Sequence, residues 1–217
     1  MKSLFAHLFT VVPSRIRRVL CICLCMALSA FNLWACGQGN GDFERPSKTL
    51  GIGVIQLLPH QVLSVFKDPF CRMPIETYEF GNRDGLAQPK FFDYNFDLCY
   101  FVCTQRTDDY YKILINPLDE AYIRIDPKLT FWDWDDFLRN DHFAAVGRKD
   151  WFHNRMRLRP HDKAPEMDYE RHFDALMPLK TQGEWLKVRF TQHNKQKTGW
   201  IRWRSKSKLL LNFQLRA

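Results

Sequence analysis

Apolar and polar residues alternate in several short runs of this chain, and two pairs of these runs predict β-hairpins. In the first pair, residues 110–116 (YYKILIN) and 121–125 (AYIRI) read as strands on either side of the turn 117–120. In the second pair, residues 185–190 (WLKVRF) and 199–203 (GWIRW) flank a longer polar turn. Alternation over this length, bounded by turn residues, is typical of half-buried antiparallel strands.

The two hairpins belong to a longer internal repeat. Each is preceded by an apolar run, residues 96–103 in the first copy and 173–180 in the second. Further upstream, each copy has a short strand-like segment, residues 62–66 or 155–159. The copies differ mainly in the length of the hairpin turn, and extra turn residues cost little free energy. Four strands per copy is the count of a small β-barrel.

Residues 130–140 (TFWDWDDFLRN) lie between the copies and predict a short helix. Thr130 and Asp133 have the spacing of a capping box, and apolar residues follow at i, i+3 and i+7. Trp132 and Trp134, together with the neighbouring acids, are candidate binding residues of an aromatic and acidic platform. The alternative is that the aromatic side chains close one end of a barrel while the acids are solvated.

The order of these motifs resembles the bacterial SH3-like domain family. That family typically carries a Leu-x-Val-Arg strand, a Trp-x-Lys-Val strand and a Gly-Trp-Ile strand. The second copy has Met156-Arg-Leu-Arg159, Trp185-Leu-Lys-Val188 and Gly199-Trp-Ile201, and the first copy has the more divergent Tyr-Lys-Ile and Ala-Tyr-Ile. The resemblance therefore rests mainly on the second copy and on the repeat.

The resemblance implies a mainly all-β fold of two small SH3-like β-barrels in tandem. The first, divergent barrel covers residues 52–129, and the second covers residues 148–217. A short helix and linker over residues 130–147 join them. The resemblance also implies a ligand of the peptidoglycan or peptide class, held in an aromatic-lined groove between barrel loops.

The first 35 residues predict a signal peptide. A basic stretch precedes 17 uncharged residues, 19–35, a length that suits a signal-peptide core and is short for a membrane span. The end of this segment, Leu33-Trp34-Ala35-Cys36, resembles the lipobox of bacterial lipoproteins, which implies that Cys36 is lipidated after removal of residues 1–35. An uncleaved anchor helix and ordinary cleavage are the alternatives. Residues 36–51 begin with a polar, glycine-rich stretch, which predicts a flexible tether.

Charge is distributed unevenly along the chain. The sequence has 32 basic and 24 acidic residues, and four of the basic ones lie in the predicted signal peptide, which leaves a net charge of +4. Residues 36–147 hold 11 basic and 17 acidic residues (−6), whereas residues 148–217 hold 17 and 7 (+10). A basic half attracts anionic glycans, lipid head groups or an acidic protein, with Arg202 and Arg204 as candidate binding residues. The alternatives are that the two halves dock on each other and that these arginines form a solvated face.

Three cysteines, Cys71, Cys99 and Cys103, follow Cys36, so at most one disulfide can form among them. On a strand, Cys99 and Cys103 share a face about 13 Å apart, too far to bridge each other. Buried free thiols are expected, and a link from Cys71 to either of the others is the alternative. The histidines are scattered singly, so the sequence predicts no metal site.

The sequence contains no Gly-x-Ser-x-Gly elbow, no phosphate-binding glycine loop and no metal-binding helix motif. We therefore predict a protein that is not an enzyme and needs no cofactor. The expected function is that of a lipid-anchored, non-catalytic binding module for peptidoglycan or a peptide, in the cell envelope on the periplasmic or cell-surface side of a membrane. The alternative is a protein-interaction lipoprotein, such as an inhibitor, immunity or assembly factor, that uses the basic C-terminal barrel. Export argues against nucleic acid as a partner.

Overall fold

The computed structural model describes residues 44, 45, 47–82, 84–169 and 175–215. The predicted signal peptide over residues 1–35, Cys36 and most of the predicted tether over residues 36–51 lie outside the described residues. From Glu44 onward the chain packs on the folded body, because the Glu44 carboxylate forms ion pairs with Lys90 and Lys149. Leu50 is only 1% exposed. The described end of the predicted tether is therefore bound to the body.

Eight strands form a large antiparallel sheet. They are β1 (Gly53–Gln56), β2 (Val62–Phe66), β3 (Pro74–Glu79), β4 (Phe91–Asp93), β5 (Leu98–Arg106), β6 (Tyr110–Leu114), β7 (Glu120–Arg124) and β8 (Thr130–Asp133). Their order in the sheet is β3-β2-β7-β6-β5-β1-β8, and β4 pairs with β5 outside this path. Strands that are distant in sequence, such as β2 and β7, are therefore neighbours in space.

The rest of the described chain forms one short helix and three small antiparallel sheets. The helix is α1 (Trp134–Leu138), and the strands are β9 (Phe143–Arg148), β10 (Met177–Gln182), β11 (Trp185–Gln192), β12 (Lys195–Arg202), β13 (Arg204–Ser205), β14 (Lys208–Leu209) and β15 (Leu211–Leu215). β10, β11 and β12 form a three-stranded sheet in sequence order, β13 pairs with β14, and β15 pairs with β9.

β5 illustrates why the large sheet is covered on both faces. Its first six residues (LCYFVC) are all buried. Leu98 and Tyr100 belong to one apolar cluster, whereas Cys99, Phe101 and Cys103 belong to another. Successive side chains of a strand point to opposite faces, so the two clusters lie on opposite sides of the sheet.

Residues from both halves of the chain form the first cluster, which we call the shared core. Its buried members are Leu50, Val54, Phe91, Leu98, Tyr100, Trp134, Phe137, Leu138, Phe143, Val146, Met156, Leu176, Leu186, Val188, Phe190, Ile201, Trp203, Leu209 and Leu211. The rings of Trp134 and Trp203 are 5.3 Å apart between centroids. The second cluster consists of residues of the large sheet and its loops. α1 and the three-stranded sheet therefore pack against one face of the large sheet.

The predicted mainly β fold is confirmed, but the predicted tandem barrels are not. Within the described ranges, every sheet is open. The predicted first barrel, residues 52–129, contributes seven of the eight strands of one open sheet, whose edge strands are β3 and β8. A barrel requires its edge strands to pair with each other. The predicted second barrel, residues 148–217, is divided among three small sheets.

Both predicted hairpins are present, but the turn predicted over residues 191–198 is too long. β6 pairs with β7 along its whole length. β11 and β12 pair in continuous register up to Gln192 and Lys195, so only His193 and Asn194 lie in the turn. Both turn residues have positive φ, 50° and 57°. A two-residue turn of this kind matches the twist of the flanking strands.

The helix predicted over residues 130–140 begins later than expected. Thr130–Asp133 form β8 and pair with β1, and only Trp134–Leu138 are helical. Asp133 is the N-cap, because its Oδ1 accepts a hydrogen bond from the Asp136 N–H at 2.8 Å. Pairing with β1 satisfies the backbone groups of residues 130–133 that face β1, and this pairing overrides the local helix signal.

Candidate functional site

Trp134 and Trp132, the aromatic candidates from the sequence, differ in burial. Trp134 is 6% exposed in the shared core, and its Nε1 donates to the Leu50 carbonyl at 2.9 Å. Trp132 is half-buried, and its Nε1 donates to Gln56 Oε1 at 2.9 Å. Both indole N–H groups are thus used within the protein, and Trp134 has no surface to offer a ligand.

Arg202 and Arg204, the basic candidates, both lie against tryptophan rings. The Arg202 guanidinium is 4.9 Å from the centroid of the Trp185 ring, and the Arg204 guanidinium is 4.8 Å from that of Trp203. Arg202 also forms ion pairs with Asp162 and Glu184. The hydrogen bond from Arg202 holds the pKa of the Asp162 carboxyl below its usual range. The charge of Arg202 is therefore balanced within the chain.

The large sheet opens between two neighbouring strands, β2 and β7. These strands share a single residue pair, Phe66 with Tyr122. On their other sides β2 pairs with β3, and β7 pairs with β6, along their whole lengths. Each strand of a ladder directs half of its backbone N–H and C=O groups to either side. The facing sides of β2 and β7 therefore carry backbone groups that have no strand partner in the described part of the chain.

A cleft of about 670 Å³ lies at this opening. Buried apolar side chains form part of its wall, namely Leu63, Phe66 and Ile123, and Leu129 adds to them. The volume falls within the range of clefts that bind small ligands. The wall thus combines apolar contact area with unpaired strand edges.

Cations dominate the charged lining of the cleft. Arg72, Arg124 and Lys128 line it together with one acid, Asp126. The Asp126 carboxylate accepts the Lys128 backbone N–H at 2.8 Å, an interaction that stabilises the local turn. Within the described ranges, none of the three cations forms an ion pair with a carboxylate. The cleft is therefore positively charged, although it lies in the acidic half of the sequence.

Two side-chain hydrogen bonds connect the β2 side of the cleft to the β7 side. Gln61 Nε2 donates to the Lys128 carbonyl at 3.1 Å. Arg124 Nη2 donates to the Cys71 carbonyl at 2.6 Å, and the Arg124 guanidinium lies 5.7 Å from the centroid of the Phe66 ring. A guanidinium has five N–H donors, so these contacts leave Arg124 with donors for a ligand carboxylate.

Nothing local in the sequence marks this cleft, so it could not be predicted from the pattern of residues. Residues 62–66 and 121–125 are both recognisable as strands, but their adjacency depends on the order of strands in the sheet. Arg124 is simply a polar position on an alternating strand. Only the pairing of β2 with β7 at one residue pair brings the lining residues together.

The described residues include no group of three or more His, Cys, Asp and Glu side chains that could hold a metal ion. No helix in the described part of the chain is long and apolar enough to cross a membrane. No protein-family model matches this chain, and neither the curated proteins nor the solved structures gave a match.

Proposed function

We propose that this chain is a non-catalytic binding module of the cell envelope, held at a membrane by a lipid on Cys36, and that it binds an extended peptide with a free carboxylate. The observation that carries the proposal is the opening between β2 and β7, where unpaired strand edges meet a cationic lining. The stem peptides of peptidoglycan are short and bear free carboxylates, so they belong to this ligand class. The resemblance to SH3-like domains points to the same class and stays a prediction.

In the proposed complex the peptide adds as a strand beside β2 or β7. Backbone hydrogen bonds supply affinity in this binding mode, and the pockets for alternate side chains supply selectivity. The apolar wall contacts one face of the peptide. Arg124 donates to the ligand carboxylate, because a planar guanidinium binds a carboxylate through two parallel hydrogen bonds. Arg72 and Lys128 add positive charge around it.

Substitution of Arg124 tests the proposal through binding of muropeptides with free stem peptides. We expect Arg124→Gln to weaken binding about tenfold or more, because a charge-assisted bond to the carboxylate is lost. Arg106→Gln is the matched control: Arg106 lies outside the cleft in the same sheet, with its guanidinium 5.2 Å from the centroid of the Phe131 ring. Equal loss in both variants, or none in Arg124→Gln, would contradict the proposal.

Amidation of the peptide carboxylates should reproduce the effect of Arg124→Gln in the wild-type protein. If muropeptides do not bind but an acidic strand of an envelope protein does, the protein-interaction alternative holds.

The lipid anchor is tested separately by labelled palmitate, which the wild type should incorporate and Cys36→Ala should not. Equal incorporation by both would contradict the anchor.

A further inference from the structure

The three-stranded sheet has one face in the shared core and an opposite face that we call the cationic face. Leu186, Val188 and Ile201 point into the shared core. Because side chains alternate along a strand, Lys187 and Arg189 of β11 and Trp200 of β12 point the other way. Lys180 of β10 is directly opposite Lys187 and shares its face.

Three charges of this face are not compensated within the described chain. Lys180, Lys187 and Arg189 form no ion pair with a carboxylate there. Like charges directly opposite each other on neighbouring strands are destabilising. Arg202, which is opposite Trp185 and lies on the same face, is the contrasting case, because Asp162 and Glu184 balance its charge. Two lysines therefore face each other across neighbouring strands without a carboxylate to balance them, an arrangement that an external anion would stabilise.

Trp185 and Trp200 both lie on this face by the same alternation, and at 8% exposure neither ring is accessible to a ligand. The Lys180 ammonium is 5.9 Å from the centroid of the Trp200 ring. A buried ring cannot stack on a sugar or an aromatic group of a ligand. Recognition at this face therefore depends on charge, and an array of anionic groups is the complementary partner.

We infer that the cationic face docks on an anionic lipid surface through phosphate-bearing head groups. The inference rests on the membrane location in the proposed function and is independent of peptide binding. Residues 148–217 carry a net charge of +10 and residues 36–147 a net charge of −6, so an anionic bilayer attracts the half that contains this face. Seven residues lie between Cys36 and Glu44, so the two are at most about 29 Å apart. Glu44 itself binds Lys149, at the start of the basic half.

Docking would orient the protein on the membrane and leave the peptide cleft free. The cleft lies between β2 and β7, whereas the cationic face belongs to β10, β11 and β12. The two surfaces share no residue. A single copy could thus hold a peptide while its basic half lies on the lipid surface.

The inference is tested by acetylating the lysines of the full chain in the presence of vesicles and measuring the extent of modification at each lysine by mass spectrometry. We expect Lys180 and Lys187 to be protected severalfold in phosphatidylglycerol-containing vesicles relative to pure phosphatidylcholine vesicles, with protection lost at high salt as charges are screened. Lys67 and Lys128, on the large sheet and its loops, should react equally in both. Equal reactivity of Lys180 and Lys187 in the two kinds of vesicle would overturn the inference.

Lys187→Glu separates a docking role from a purely structural one. The carboxylate beside Lys180 should raise the melting temperature of the free protein, whereas protection of Lys180 on anionic vesicles should fall about fivefold or more. Lys208→Glu, the same charge change on the hairpin β13–β14, should leave protection of Lys180 intact, and Lys187→Arg should retain it. Equal loss in Lys187→Glu and Lys208→Glu would overturn the inference. Muropeptide binding should be unchanged in all three variants, so failure here is distinguishable from failure of the proposed function.

Discussion

Single cysteines show how burial controls chemistry in this chain. Cys71, Cys99 and Cys103 are all free and buried, as the sequence predicts. Loss of solvation on burial raises the pKa of the Cys99 thiol to about 12, and it does the same for Cys103. Since the thiolate is the reactive form, these two residues are chemically inert in the folded protein.

We expect iodoacetamide at pH 8 to leave Cys99 and Cys103 unmodified in the native protein and to alkylate both in denaturant. An ordinary thiol with a pKa of about 8.5 is substantially ionised at this pH, whereas a pKa of about 12 leaves almost no thiolate. Peptide mapping by mass spectrometry follows each site. Native alkylation of either cysteine at the denatured rate would be inconsistent with the buried position.

At the scale of elements, the backbone just before β1 approaches the backbone of β5 so closely that a side chain does not fit there. Gly51 precedes β1 with φ of +60°, and a Cβ built on it would lie 2.1 Å from the Cys103 carbonyl oxygen on β5. That carbonyl accepts the Ile52 N–H at 2.8 Å. Gly183, in the turn between β10 and β11, has φ of +59° but no atom within 4 Å of such a Cβ.

Gly51→Ala and Gly183→Ala therefore form a matched pair. In both variants the left-handed conformation of alanine destabilises the folded protein by about 1–2 kcal/mol. Only Gly51→Ala adds a clash with the neighbouring strand, which destabilises it by about 1–3 kcal/mol more. We expect the free energy of unfolding from urea titration to fall further for Gly51→Ala. An equal decrease in the free energy of unfolding in both variants would show that β1 and β5 can move apart for the methyl group without loss of stability.

The whole described body is organised around the shared core rather than around two separate domains. Trp134 of α1 packs on Phe91 of the large sheet and on Trp203, which follows β12. The Trp203 indole N–H donates to the Gly183 carbonyl at 2.9 Å. Contact between the acidic and basic halves is therefore largely apolar, although Glu44 and Lys149 add an ion pair.

We expect Trp203→Ala to lower the free energy of unfolding by about 3–5 kcal/mol and to speed hydrogen exchange in β5 as well as in β11. Loss of a core ring should loosen both halves because both bury residues around it. Leu118→Ala is the control, since Leu118 is 71% exposed. Faster exchange confined to β11 would instead indicate two domains that unfold independently.

Sequence alone determined those features that depend on neighbours along the chain. The hairpins β6–β7 and β11–β12 follow from alternation with period two, which is a local property of strands and turns. The burial of Cys99 and Cys103 follows from the apolar run 98–103 in which they lie, whereas Cys71 has charged neighbours in the sequence. The length of the turn at His193 and Asn194 could not be predicted, because a run of polar residues is compatible with a long turn and also with a short turn between exposed strand ends.

Only the tertiary structure decided what each element packs against. Residues 130–133 form a strand because β1 offers a partner for their backbone, and Trp134 is buried because residues from both halves surround it. The cleft exists because β2 and β7, distant in sequence, meet at one residue pair and diverge beyond it. Strand order depends on the burial of surfaces from distant segments, and the period of a single run carries no information about its partner.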